Sequence, residues 1–386
     1  MPRIICTEDM PCGREAFETL GEVQVLPERT LRPEQVRDAD ILAVRSTTKV
    51  GPALLEGSRV GFVGTATIGM DHLDTAYFDR AGIKWCSAAG CNANSVSEYL
   101  VAGLLALGRR HGFDLAGKTI GIVGVGNVGT RVAEKANALG LRVLLNDPPK
   151  QRMAGGGQYL PLDQVLAGAG IVTMHVPLEK GGDDPTWHLA DRCFFEKMKP
   201  GCLFVNAARG AVVDSDALLR AMDQGRVAHC ILDTWEGEPV YRPDVLRRVD
   251  LGTPHIAGHS YEGKVVGTWM VYQAACRFLG RAPAWTPQTH LASALPGNPP
   301  PAIEPDGTKG DREAAVAAVV RQAYDIEKDD GLLRRTLDLP EDARIKEFNR
   351  QRKQYAVRRE FPYFTVRTSG ELGRRLECLG FQVNAF

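Results

Sequence analysis

An α/β fold with two parallel-sheet domains, a cleft between them and a small C-terminal α+β domain is predicted by three observations. Short β-branched apolar runs alternate with polar–apolar helical segments as far as Leu279. A glycine-rich turn, Gly124-Val125-Gly126-Asn127-Val128-Gly129, links one such run to one such segment near the middle of the chain. A proline-rich stretch from Ala282 to Asp306 then sets off a tail of different texture. Strand–helix alternation gives a parallel sheet, because parallel strands need long crossover connections. With 386 residues the chain has room for two or three domains, each with its own core.

The first strands are expected at Arg3–Cys6, Val23–Leu26, Ile41–Val44, Val60–Gly64 and Ile83–Ser87, with helical segments such as Arg14–Leu20 and Pro33–Ala39 between them. Two loops, Arg45–Lys49 and Gly64–Asp74, fall at the C-terminal ends of these strands, where open α/β sheets bind ligands. Both are rich in hydroxyl groups and backbone donors, and the first adds two cations, so they suit an anionic ligand. Ser95 and Glu98 have the spacing of a capping box at the start of a helix. Its continuation, Tyr99–Leu107, is apolar almost throughout, as burial between domains requires.

The run Thr119–Val123 reads as a strand buried on both faces, and Arg131–Leu139 as a helix stopped by Gly140. Between them, the first glycine allows a tight turn, the second lets a pyrophosphate approach the backbone, and the third lets helix and strand pack closely. Free N–H groups and the positive end of the helix dipole hold the phosphates. A further strand, Arg142–Asn146, ends in Asp147, where a carboxylate accepts hydrogen bonds from an adenosine ribose. That acid repels a 2′-phosphate, and Pro148 and Pro149 follow instead of arginine, which favours NAD over NADP. Strands at Ile171–Val176, Leu203–Asn206 and Ala228–Asp233, with helices around Asp163–Leu166, Asp191–Met198 and Asp214–Gln224, complete a Rossmann-like unit. A helix over Gly263–Leu279 crosses back to the first domain. The expected division is therefore a flavodoxin-like substrate domain of residues 1–94 and 258–281, an NAD-binding domain of residues 95–257, and a C-terminal dimerisation domain of residues 282–386. The last carries an amphipathic helix at Arg312–Glu327, a basic run at Arg344–Glu360, a strand at Tyr363–Arg367 and a helix at Leu372–Leu379.

Acidic and basic residues balance at 47 each, so net charge draws the chain neither to nucleic acid nor to a membrane surface. No apolar run reaches spanning length. Nine scattered cysteines without a C-x-x-C pair fit reduced thiols in a cytoplasmic protein, with no disulfide framework and no metal site.

Three polar residues stand at the ends of strands in the nucleotide unit: Arg209 after Asn206-Ala207-Ala208, Glu238 before Pro239, and His255 after Pro254. Oxidising a hydroxy acid needs a base for the hydroxyl proton, a cation for the carboxylate and a hydride acceptor beside the carbon. His255 can be the base and Arg209 the cation, while Glu238 orients the imidazole and stabilises its protonated form.

These motifs, with His175-Val176-Pro177-Leu178, resemble the D-isomer-specific 2-hydroxyacid dehydrogenases over roughly residues 1–280. The resemblance implies that Arg209, Glu238 and His255 are catalytic. It also implies that Gly124, Gly126, Asn127, Val128, Asp147, His175, Val176, Ala207, Asp233 and Gly258 bind NAD, with Asp233 at the nicotinamide end, and that the enzyme is a dimer. A narrower resemblance, to the branch of that family that oxidises 4-phospho-D-erythronate at C2 in bacterial vitamin B6 biosynthesis, covers nearly the full chain. It rests on Gly61–Asp74, Gly90–Ala93, Gly121–Gly129 with Asp147–Pro149, Trp235–Pro239, His255–Gly258 and, in the C-terminal domain, Arg352–Glu360. It implies 3-hydroxy-2-oxo-4-phosphooxybutanoate as product, a homodimer formed through the C-terminal domain, and substrate contacts at Ser46 and Thr67. His259 stands where that branch has a substrate-contacting tyrosine, and Val176 where it has a threonine. A ring donor is retained at the first position, and a backbone contact at the second.

A terminal phosphate needs cations distant from Arg209. Arg45 and Lys49 are the local candidates, and the basic run Arg350–Arg359 can supply another across a dimer interface. The alternatives are a related dehydrogenase, for example one acting on 3-phosphoglycerate, and an NAD-responsive binding protein without turnover.

Overall fold

The structure, a computed structural model, describes residues 1–154, 157–292, 302–305 and 312–384. It is α/β throughout, and its contacts divide the chain into two compact units: Met1–Asn92 with Ser260–Pro300, and Ala93–His259 with Pro301–Phe386.

The first unit carries β1 (Arg3–Thr7), β2 (Glu22–Leu26), β3 (Ile41–Val44), β4 (Phe62–Thr65) and β5 (Lys84–Ser87), all parallel, in the order β2-β1-β3-β4-β5. This is the flavodoxin-like order, with its switch point between β1 and β3. Every residue of β3 and β4 is buried, as an unbroken apolar run covered on both faces demands. One face packs on Phe17 and on Val265, Val271 and Tyr272 of the helix Tyr261–Phe278; the other packs on Val36, Leu54, Leu55 and Phe78. A Cβ at Gly64 would fall 2.3 Å from Val271, so only glycine lets that helix lie flat on β4. The expected segment Pro33–Ala39 shortens to a single turn, Pro33–Val36, and β4 starts at Phe62 instead of Val60.

The second unit carries β6 (Thr119–Val123), β7 (Arg142–Asn146), β8 (Ile171–Met174), β9 (Cys202–Asn206), β10 (Val227–Leu232) and β11 (Leu251–Gly252), parallel in the order β7-β6-β8-β9-β10-β11. The strand order reverses between β6 and β8, the place where such sheets hold nucleotides. The helix after β6 spans Asn127–Ala138 and so starts earlier than the expected Arg131, immediately at the glycine turn.

The helix Ala93–His111 is buried over most of its length, as its apolar character predicts. Within this unit it packs on Asn127–Ala138 and on two C-terminal helices, Arg312–Ala323 and Ile326–Arg334. The capping box expected at Ser95 and Glu98 does not form. The Ser95 hydroxyl donates to the Ala257 carbonyl at 2.8 Å, and Glu98 accepts from the Asn94 side chain at 2.8 Å and from the Phe361 N–H at 2.9 Å. Tertiary partners thus replace the local pairing, and the helix begins upstream of both residues.

The helix expected over Arg312–Glu327 is broken at Tyr324 and Asp325, where Asp325 leaves the helical region (φ −96°, ψ 88°) and starts the next helix. The basic run falls on the helix Glu341–Lys353 and the irregular segment after it. β12 (Thr365–Arg367) pairs in parallel with β13 (Gln382–Asn384), a short strand without a sequence signal, through the helix Gly370–Leu379. Val316, Val319, Val320, Ile326, Phe361, Leu376 and Leu379 share one core with the long helix and β6. Of the expected proline-rich connector, residues 293–301 and 306 lie outside the described residues; Gln288–Ala292 before them is a short helix.

Candidate active site

The glycine turn after β6 uses its three glycines differently. Gly124 has φ +89°, and a Cβ there would lie 2.7 Å from the His175 carbonyl. At Gly129 a Cβ would lie 2.1 Å from the Gly124 oxygen, so this glycine lets helix close on strand. Gly126 has nothing within 4 Å of its virtual Cβ, which leaves open space in front of the backbone at the start of the helix. Packing explains the first and third glycines, while no contact within the protein requires the second. Asp147, at the end of β7, accepts from Val125 N–H at 2.9 Å and from Lys150 N–H at 3.0 Å. It braces the turn, yet each oxygen keeps a lone pair for a ribose hydroxyl. This donor and acceptor set fits a dinucleotide.

His175 follows β8, its N–H donating to Val123 at 2.7 Å and its Nε2 meeting the Thr173 hydroxyl at 2.9 Å. Burial drives its imidazole down to about 3, so the ring is neutral at physiological pH. The Val176 side chain packs over Gly124.

The Arg209 loop is shaped by Asn206, which is fully buried at the end of β9. Its side-chain amide donates to Arg209 O at 3.0 Å, and its carbonyl accepts from Ala208 N–H at 3.1 Å. Ala207 lies in this loop, part-buried, and Arg209 Nη1 donates to Ala208 O at 2.9 Å. A Cβ on Gly210 would fall 1.9 Å from the Trp235 oxygen. Gly210 therefore lets the Arg209 loop seat directly on the Trp235–Glu238 loop, and only a glycine fits there.

Glu238 and His255 meet through Oε1 and Nδ1, and Glu238 Oε2 accepts from Trp235 N–H at 3.1 Å. Burial alone would raise the Glu238 carboxyl. The His255 imidazole and its hydrogen bond, with a smaller contribution from Arg352, more than offset this and hold it below its usual range. His255 has φ +55°, a left-handed conformation costing a non-glycine residue about 1 kcal/mol. Such strain concentrates where the surrounding structure over-determines a functional side chain. Here the surrounding structure is Asp233. Its backbone oxygen accepts from His255 N–H at 2.7 Å, and its carboxylate accepts from the Thr253 hydroxyl (2.6 Å), Ile256 N–H (2.7 Å) and Ala257 N–H (2.9 Å). Asp233 is thus the buried pin of the histidine turn. Gly258 and His259 follow on the same turn, and the His259 ring packs edge-on against Tyr355 at 6.0 Å.

One residue to which the sequence assigned no separate role backs this turn from behind. Arg358, fully buried, donates through Nη2 to Ala257 O and Ser95 O, both at 2.8 Å, and stacks over Tyr324. In the sequence it is one of several basic residues in a run, and nothing local marks it and Arg359 as the buried ones.

In the first unit, Arg45 is turned inward, its side chain 13% exposed, with Nη1 donating to Asp9 O at 3.4 Å. Ser46 and Lys49 are exposed on the same loop. The Thr67 hydroxyl meets Thr65 Oγ1 at 2.8 Å and donates to Gly69 O at 3.1 Å.

Residues 91–257 match the family model described as D-isomer specific 2-hydroxyacid dehydrogenase, NAD binding domain, and residues 295–380 match a domain of unknown function (DUF3410). The erythronate-4-phosphate dehydrogenase of Salinibacter ruber is 45% identical over 372 residues, covering 94% of this chain and 93% of that protein. The chain belongs to the erythronate-4-phosphate dehydrogenase family. The family member of Escherichia fergusonii is 42% identical over 382 residues, 98% of each chain. Among solved structures, the NAD+-bound 3-phosphoglycerate dehydrogenase of Entamoeba histolytica shares the fold with a TM-score of 0.62 at 24% identity, over 72% of this chain and 95% of that one. The D-lactate dehydrogenase of Aquifex aeolicus, complexed with NAD and lactic acid, aligns with a TM-score of 0.55 at 25% identity, again over 72% and 95%. The chain is accordingly an NAD-dependent dehydrogenase, and the glycine turn with Asp147 belongs to its nucleotide-binding domain.

Proposed function

We propose that the chain oxidises 4-phospho-D-erythronate at C2 to (R)-3-hydroxy-2-oxo-4-phosphooxybutanoate, a step in pyridoxal phosphate (vitamin B6) biosynthesis. The observation that carries the chemistry is the His255–Glu238 pair, held on a strained turn pinned by Asp233. Glu238 accepts a hydrogen bond from the Nδ1–H of His255, which leaves Nε2 as the basic nitrogen for the substrate's C2 hydroxyl. Once that proton is transferred, the ionised Glu238 stabilises the imidazolium. Arg209 holds the substrate carboxylate, for which a guanidinium fork is the matching donor. NAD, when bound, accepts the hydride that leaves C2. Gly124, Gly126, Asn127, Val128, Asp147, His175, Val176, Ala207, Asp233 and Gly258 are the residues we assign to holding it, and Arg45, Ser46, Lys49, Thr67 and His259 those we assign to the substrate. The 45% identity to a named family member supports the choice of substrate. The C-terminal domain, residues 282–386, is assigned to homodimerisation, with a light-scattering mass of two chains as its check.

The deciding experiment follows nicotinamide absorbance with purified protein, NAD and synthetic 4-phospho-D-erythronate, beside 3-phosphoglycerate and D-lactate. Turnover with 4-phospho-D-erythronate far above the other two is expected; a preference for 3-phosphoglycerate would replace the assignment. His255→Ala is expected to lose roughly 100- to 10,000-fold in kcat while NAD binding is kept. Near-normal turnover in that variant would mean that another group is the base.

A further inference from the structure

Three side chains with no part in the reaction meet toward the N-terminal ends of β10 and β11, the ends away from the histidine turn: His111, His229 and Asp250. His111 is the last residue of the helix Ala93–His111. The chain turns there through Gly112 (φ +71°), and the Gly112 and Phe113 N–H groups both donate to Gly108 O, at 2.9 and 3.0 Å. His229 lies near the start of β10, beside an irregularity in its pairing with β9 of the kind that re-aims side chains. Asp250 immediately precedes β11, and its Oδ2 accepts from Cys230 N–H at 2.9 Å. Its Oδ1 faces both rings, 2.7 Å from His111 Nε2 and 3.4 Å from His229 Nδ1. The two imidazoles lie against each other with centroids 4.1 Å apart, and Phe113 flanks His229 at 5.7 Å.

The spacing is that of a coordination shell. Around a tetrahedral ion with bonds of about 2.0–2.1 Å, ligand atoms stand about 3.3 Å apart. The two distances to Asp250 Oδ1 fall on either side of that value, and all three ligand atoms lie within 4.8 Å of one another. The side chains of His111, His229 and Asp250 are 31%, 24% and 14% exposed, so an ion has a path in and a fourth position for water. Two imidazoles with a carboxylate suit zinc and its neighbours, whereas magnesium and calcium take oxygen ligands. Support behind the ligands is also present. Cys230 N–H fixes the carboxylate, while Arg110 Nη1 (2.8 Å) and Arg334 Nη2 (3.2 Å) hold the Asp250 carbonyl. Both guanidiniums are paired with other acids, Arg110 with Glu327 at 3.0 Å and Arg334 with Asp330 at 2.8 Å, which leaves Asp250 Oδ1 to the two rings.

We propose that His111 Nε2, His229 Nδ1 and Asp250 Oδ1 form a site for a divalent cation of the zinc class, which clasps the end of the long helix to the sheet. On binding, each ring carries its proton on the other nitrogen, and the ion takes the place of the imidazole protons that face Asp250. The expectation of no metal site drawn from cysteine spacing does not reach this cluster, which contains no cysteine and whose members are far apart in the chain.

The test titrates zinc calorimetrically into the full-length protein, first stripped with a chelator, beside His111→Ala and His229→Gln. The wild type should bind zinc, and either variant should bind it roughly 10- to 100-fold more weakly, since changes even to the groups behind a ligand cost that much. Saturating zinc should raise the melting temperature of the wild type by several degrees and leave that of H111A unmoved. Cobalt(II) in place of zinc should give the visible bands of a nitrogen–oxygen ligand set, without thiolate charge transfer. No zinc binding at millimolar concentration, binding equally tight in wild type and H111A, or thiolate bands from cobalt overturns the site. His111 is exposed at a helix end, so H111A keeps the test decisive if H229Q fails to fold.

Discussion

His255 is held where an L-residue rests least comfortably, and the cost is met by its neighbours. Asp233 accepts three hydrogen bonds with its carboxylate and a fourth with its backbone oxygen, all from the segment 253–257. Asp233→Asn keeps the shape but turns an NH2 toward the backbone N–H of Ile256 or Ala257, leaving a buried donor facing a donor. A loss of about 1–3 kcal/mol in urea-unfolding stability is expected, with a fall in kcat as the imidazole loses its orientation. Glu238→Gln tests the partner. Its carboxyl lies low because of the His255 imidazole, so its contribution to stability is present above the ordinary carboxylate range and is lost as pH falls through the folded-state value. The glutamine variant should lose that acid-sensitive component, and its kcat should fall because a neutral amide does not stabilise the imidazolium; an unchanged pH–rate profile would show that Glu238 acts by shape alone.

At the scale of elements, the glycine turn separates packing from ligand binding within six residues. A methyl group at Gly129 collides with Gly124 O, so Gly129→Ala should lower the melting temperature of the nucleotide unit. A methyl group at Gly126 meets nothing, so Gly126→Ala should leave the melting temperature of the NAD-free protein within a degree or two, while weakening NAD binding roughly tenfold or more. If both variants lost stability equally, the open space at Gly126 would have no ligand-related meaning. The long helix Ala93–His111 teaches the converse lesson. Its capping-box spacing is a correct local pattern, overridden because Ser95 and Glu98 find better partners in Ala257, Asn94 and Phe361.

Across the whole molecule, buried neutral histidines make the fold acid-sensitive. His72 is driven down to about 4 by burial, partly countered by Asp71, and His175 to about 3 by burial. Both bind protons more readily in the unfolded chain, so their contribution is complete above about pH 6.5 and is lost as pH falls toward 4. At pH 5 this amounts to roughly 2 kcal/mol for each ring. Melting temperatures should therefore fall between pH 7.5 and 5, less steeply in His175→Gln than in the wild type. The C-terminal segment is bound into the nucleotide unit through Val316, Val319, Val320, Ile326, Phe361 and Leu376. A chain ending at Pro300 should expose the buried face of Ala93–His111 and lose cooperative unfolding and NAD binding together.

The sequence alone determined what depends on short-range pattern. Unbroken apolar runs fix strands buried on both faces, strand–helix alternation fixes their parallel pairing, and the glycine spacing with Asp147 fixes the nucleotide turn. The family was legible for the same reason, since its motifs are contiguous, and Arg209, Glu238 and His255, the trio proposed as catalytic, each lie in one of them. Tertiary structure decided what depends on partners distant along the chain. It broke the helix at Tyr324 and Asp325, undid the capping box, made Asp233 the pin of the histidine turn, and buried Arg358 and Arg359 while Arg350 and Lys353 of the same basic run stayed exposed.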